Sequence, residues 1–220
     1  MQRVLTTLFF ITLALANDAA RAATNQFEKW EPEIQKFEKA DREQMPPKGG
    51  NVFVGSSSIR LWTNLVDAFP KKKIVQRGFG GSTMADALHF ADRIVLPYEP
   101  KQVFVYEGDN DLAAGKEPAT VAAEFRELVR KIHTKNPKTK VWFISVKPSP
   151  SRAKLAPKAL ALNSEIEWWC KAHKNVGYID VWTPMMGRDG TPMSDIFVKD
   201  NLHMNEAGYE IWKKVIGKKL

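Results

Sequence analysis

Two hydrophobic periods alternate along this chain, and the alternation constrains its fold more than any other feature. Short runs rich in β-branched residues, Val52–Val54, Ile74–Val75, Val103–Tyr106, Val141–Val146 and Gly177–Val181, are near-continuously apolar. A strand buried on both faces has no solvent side to alternate with, so it reads in this way. Between the runs, Ser58–Ala68, Thr83–Ile94, Pro118–Thr134 and Leu155–Ala172 carry apolar residues at helical spacing, as does Asn205–Ile216 after the last run. Strand and helix in alternation predict an α/β domain of three layers, α/β/α, around a central five-stranded parallel sheet. Right-handed crossovers bring every strand's carboxyl end to one edge, and ligands bind outside that edge where the strand order reverses.

With 220 residues, 44% of them hydrophobic, the chain can bury one core and is short for two. Its first segment is read separately. Arg3 is followed by the apolar run Val4–Ala16 and by Ala20-Arg21-Ala22, small residues at cleavage spacing, which reads as a signal peptide over 1–22. The run falls short of the roughly 20 residues a spanning helix needs. A mature protein starting at Ala23 and exported to the periplasm or medium is expected. Over 23–50, Phe27, Trp30, Ile34 and Phe37 recur at helical spacing and predict a lead-in helix, Asn25–Lys48, ended by Pro46-Pro47 and Gly49-Gly50. The α/β domain would then span 51–220.

The net charge of +8 draws an exported protein toward anionic surfaces, and nucleic acid is not an expected partner outside the cytoplasm. Cys170 is the sole cysteine, so no intrachain disulfide forms. No His/Cys/carboxylate cluster has metal-ligand spacing, and neither metal nor cofactor is expected.

Four short clusters fall where this fold would place a site. Gly55-Ser56-Ser57-Ser58 follows the first strand and leads into a helix, whose N-terminus offers free N–H groups and positive dipole to an anion. Serines there also serve as helix caps. Gly78-Phe79-Gly80-Gly81-Ser82 follows the second strand; it lacks a phosphate-binding G-x-x-x-x-G-K-[ST] string and lets backbone approach a ligand. Glu107-Gly108-Asp109-Asn110-Asp111 follows the third, with an Asn able to aim its amide at a substrate oxygen, or simply a turn. Asp200-Asn201-Leu202-His203 precedes the last helix, where a carboxylate can hold an imidazole tautomer while the other ring nitrogen faces a nucleophile. His89, His133 and His173 lie in or at the end of helical patterns and read as packing or surface residues. Together the clusters supply a nucleophile, oxyanion donors and a base on one edge.

On these blocks the chain resembles the SGNH, or GDSL-like, hydrolases, including their platelet-activating-factor acetylhydrolase-like group, from about Asn51 to the C-terminus. The resemblance implies a flavodoxin-like fold and no cofactor. It makes Ser57 the nucleophile and Asp200 and His203 the remainder of a triad, and it assigns the oxyanion hole to Ser57, Gly81 and Asn110. Two positions depart from the pattern: Ser56 stands where the class usually has Asp, and Gln76 where Asn is common.

The expected activity is hydrolysis of short-chain, chiefly acetyl, carboxylic esters through an acyl-enzyme, with a small ester on a glycan or lipid as partner. A non-catalytic glycan- or lipid-binding module and an O-acyltransferase remain alternatives on the same fold. Trp62 and Trp182 are candidates to stack on a sugar, and Arg60 or Arg152 to meet an anionic substrate. Packing and surface roles are open for all four.

Overall fold

The computed structural model describes residues 26–220. The expected signal segment lies outside the described residues. Five strands, β1 (Asn51–Gly55), β2 (Ile74–Gly78), β3 (Gln102–Tyr106), β4 (Lys140–Ile144) and β5 (Val176–Ile179), form one parallel sheet in the order β2-β1-β3-β4-β5. This is the flavodoxin-like order, and its switch point lies between β1 and β3. Every residue of β1 is buried, as its unbroken apolar run requires.

Successive side chains point to opposite faces of the sheet. Val52, Val54, Val103, Val105 and Phe143 belong to one core, and Phe53, Phe104, Ile144 and Ile179 to the other. The first core is covered by α1 (Glu31–Glu43), α4 (Met84–Ile94), α6 (Pro118–Lys135) and α7 (Ala156–Lys171). The second is covered by Ile59, Trp62 and Leu65 and by α8 (Glu206–Ile216), which contributes Tyr209, Trp212 and Ile216.

Three expected elements are corrected. The helix expected over Ser58–Ala68 is two four-residue pieces, α2 (Ser57–Arg60) and α3 (Leu65–Ala68). Trp62 between them turns into the core, at 1% exposure, against Phe53, Tyr209 and Trp212. It is therefore no sugar platform. The lead-in helix is shorter than Asn25–Lys48: Pro32 sits in its first turn and the chain extends at Gln44, ahead of Pro46-Pro47. The Asn110 cluster, read as a strand tip that aims an amide or as a turn, opens a short helix, α5 (Asp109–Ala113).

Helix α1 is anchored. Asp41 accepts from Arg77 and from Tyr98, and Arg93 pairs with both Glu31 and Glu38. Ile34 is fully buried, with Phe27, Trp30 and Phe37 packed on the same core.

Candidate active site

The first strand ends on Gly55 at φ +151°, where a Cβ would collide with the Tyr106 carbonyl of β3. Glycine lets the chain leave the sheet at that close approach. Ser56 then takes the extended conformation of an N-cap, and Ser57 is the first residue of α2. Ser56 and Ser58 are buried, at 2% exposure each, whereas Ser57 reaches the surface of the cleft. The Gln76 amide donates to the carbonyls of Ile59 and Trp62, at 2.6 and 3.0 Å, and so holds the break that follows α2.

The last loop presents His203 to Ser57. Its Nε2 lies 3.0 Å from Ser57 Oγ, and its Nδ1 lies 2.6 Å from Asp200 Oδ2. Asp200 does more than meet the ring: Oδ1 accepts the backbone N–H groups of Leu202 and His203, both at 2.9 Å. Asn201 between them adopts φ +56°, the left-handed conformation that Asn tolerates. Hydrogen bonds from the His203 backbone and side chain, and from Leu202, pull the Asp200 carboxyl down to about 2, so it is a carboxylate throughout the neutral range.

Gly81 has φ +91°, a conformation that favours glycine. The Ser57 and Gly81 N–H groups donate to no acceptor among the described residues. Asn110, in the first turn of α5, donates from Nδ2 to the Ser82 carbonyl at 2.9 Å. Asp111 ties these loops together, accepting from the N–H of Met84 at the start of α4 and from the N–H of Gly108, and pairing with Lys116. The five residues expected for the site thus lie on the carboxyl edge of β1–β3 and in the loop before α8.

Several contacts at the site were not expected from the sequence. Glu107 is fully buried and accepts from Ser82 Oγ at 2.6 Å. Burial, with Asp111, Asp86 and Asp109 nearby, pushes its carboxyl well above the ordinary range. Asp109 is paired with Lys147 and Arg152, and Arg152 also donates to Asn110 Oδ1 at 3.0 Å. Arg152 thus has protein partners in the place where an anionic substrate was envisaged, while Arg60 is exposed beside Gly80. Trp30, from the segment before α1, lies against Gly81 and packs edge-on to Phe79. None of these pairings had a signal in the sequence, since each partner is remote along the chain.

A pocket of about 220 Å³ adjoins the Arg152 side of this cluster, lined by Leu112, Val146, Ala159, Trp182 and Met186 among others. The three remaining histidines are elsewhere: His89 stacks on Phe27, His133 meets the Thr139 carbonyl and His173 stacks on Trp169. Among the described residues no group of His, Cys, Asp and Glu could hold a metal, and no helix is long and apolar enough to cross a membrane.

A doubly wound parallel sheet with a Ser, a glycine loop, an Asn and an Asp-x-x-His at its carboxyl edge defines the SGNH hydrolase class. The chain belongs to the GDSL-like lipase/acylhydrolase family, whose pattern matches residues 51–211. Solved structures agree in fold. A Streptococcus pneumoniae protein named for platelet activating factor superimposes with a TM-score of 0.77 at 18% identity, over 91% of this chain and 97% of its own. A GDSL-like lipase from Bacteroides thetaiotaomicron gives 0.74 at 22% identity, over 84% and 96%. A catalytic mutant of an acetylxylan esterase from Geobacillus stearothermophilus gives 0.63 at 14% identity, over 79% and 94%. No curated protein sequence matches the chain significantly.

Proposed function

We propose that this hydrolase is a serine esterase that removes short acyl groups, chiefly acetyl, from esters carried on carbohydrate or lipid. The observation that carries the reading is the relay Ser57 Oγ, His203 Nε2 at 3.0 Å, and His203 Nδ1 to Asp200 Oδ2 at 2.6 Å. Asp200 holds the tautomer in which Nδ1 carries the proton and Nε2 is free to accept one. His203 takes the Ser57 proton as Oγ attacks the ester carbonyl. It returns that proton to the departing alcohol and then activates water to cleave the acyl-enzyme. The oxyanion sits among the Ser57 and Gly81 N–H groups and the free N–H of Asn110, each such donor typically contributing about 3 kcal/mol.

Short acyl groups are favoured because the chain has no long apolar insertion of the lid kind, and a fold relative acts on acetylxylan. Export rests on the segment 1–22, and the exported protein should give an N-terminal sequence starting at Ala23. An intact Met1 on exported material would refute export.

The central test is Ser57→Ala assayed on p-nitrophenyl acetate. Its kcat should fall by several orders of magnitude, leaving only binding and oxyanion stabilisation. Ser56→Ala and Ser58→Ala should keep substantial activity, and a fluorophosphonate probe should label Ser57. Near-normal turnover in Ser57→Ala, or an adduct on Ser56 or Ser58, would overturn the assignment.

A further inference from the structure

Asn110 offers one carbonyl oxygen and two N–H groups on a rigid plane. Two of these positions are occupied: Oδ1 accepts from Arg152 Nη2 at 3.0 Å, and Nδ2 donates to the Ser82 carbonyl at 2.9 Å. Turning the amide over would face its N–H groups toward the guanidinium and its oxygen toward a carbonyl, two repulsive pairings. One orientation therefore survives, and the direction of the remaining N–H is set.

Arg152 is itself held. Its other terminal nitrogen pairs with Asp109 Oδ1, while Lys147 takes Oδ2 at 3.1 Å. Burial acts to raise the Asp109 carboxyl, but the two cations outweigh it and keep the group below the ordinary carboxylate range. Asp109 thus remains a fixed anion, one residue from Asn110. A planar guanidinium can span both neighbours at once; an ammonium on a flexible stem has no such fork.

We infer that Arg152 is a positioning residue for the oxyanion hole: it locks the Asn110 amide and, by donating to its oxygen, polarises the N–H that meets the substrate. The inference rests on the esterase reading through Asn110.

The test is a double-mutant cycle on p-nitrophenyl acetate with Arg152→Lys, which keeps a cation beside Asp109, and Asn110→Ala. Removing an oxyanion donor costs about 100- to 1000-fold in kcat, so Asn110→Ala should lose that much. Arg152→Lys should lose roughly 10- to 100-fold in kcat with KM little changed, a part of the donor's worth. In the Asn110→Ala background the same Arg152 substitution should change kcat by less than about threefold, because coupled residues are non-additive. Multiplicative losses, or a loss confined to KM, would overturn the inference. A second readout needs no turnover. The Asn110 side-chain amide signals, assigned by their absence from Asn110→Ala, should shift or broaden in Arg152→Lys, and unchanged signals would also overturn it. Failure of the esterase reading itself would register separately, as normal turnover in Ser57→Ala.

Discussion

Burial favours the protonated form of the Glu107 carboxyl, which an exposed glutamate would not hold. Glu107 is fully buried just after β3, and among the described residues Ser82 Oγ is its one hydrogen-bond partner and Oε2 has none. Because burial and the neighbouring carboxylates raise its folded pKa, the folded state keeps a proton that the unfolded chain loses above about 4.3. The stabilising contribution is complete below that pH and declines as pH rises toward the folded value. Glu107→Gln supplies a permanently neutral group of the same shape. Its thermal midpoint relative to wild type should therefore improve steadily from pH 5 to pH 8. A constant or shrinking difference would show that Glu107 is ionised in the fold. The residue type alone gave no hint of this, because an acid next to Gly108 in sequence reads as part of a polar turn; only the tertiary structure buries it, against Ser82 of the β2–α4 loop.

At the scale of elements, the site depends on how β1 ends. Gly55 lies where a Cβ would strike the Tyr106 carbonyl, and both residues belong to central strands that cannot shift independently. Gly115 also has a positive φ, +87°, but open space around it. Gly115→Ala should therefore cost only the conformational penalty, about 1–2 kcal/mol. Gly55→Ala should cost well beyond that, by urea denaturation, or fail to yield soluble protein. Equal losses would mean that strand packing does not dictate the elbow. The helix boundaries show the same division. Asn205, where the last helical period begins in the sequence, caps α8: its side chain accepts from the Gly208 N–H at 3.2 Å. The break at Trp62 was not legible, because its apolar residues continue a helical period; the pull of Trp62 into the second core and the Gln76 amide interrupt it.

At the scale of the molecule, the residues before β1 are part of the packed structure. Asp41 serves Arg77 on β2 at a pair that is 10% and 14% exposed, and Trp30 lies against the Gly81 loop. A protein beginning at Asn51 would leave Arg77 nearly buried without its anion, a change that typically costs about 3–5 kcal/mol. It would also bare the surface that Ile34, Phe37 and Trp30 cover. Compared with a 23–220 protein, it should melt lower and bind a hydrophobic dye, and its hydrolytic activity should fall with the loss of Trp30 behind Gly81. An unchanged midpoint would show that α1 is a passive appendage.

The sequence by itself determined the layer order, the parallel sheet and the blocks that carry Ser57, Gly81, Asn110, Asp200 and His203. These are properties of local periodicity and short motifs, which need no knowledge of distant neighbours. Tertiary structure alone decided that Arg152 and Ser82 hold the Asn110 amide, that Glu107 is buried with its carboxyl raised, and that Trp62 is core. Each follows from a contact between segments far apart in the chain, where burial changes the charge state or the hydrogen-bonding partner of a group.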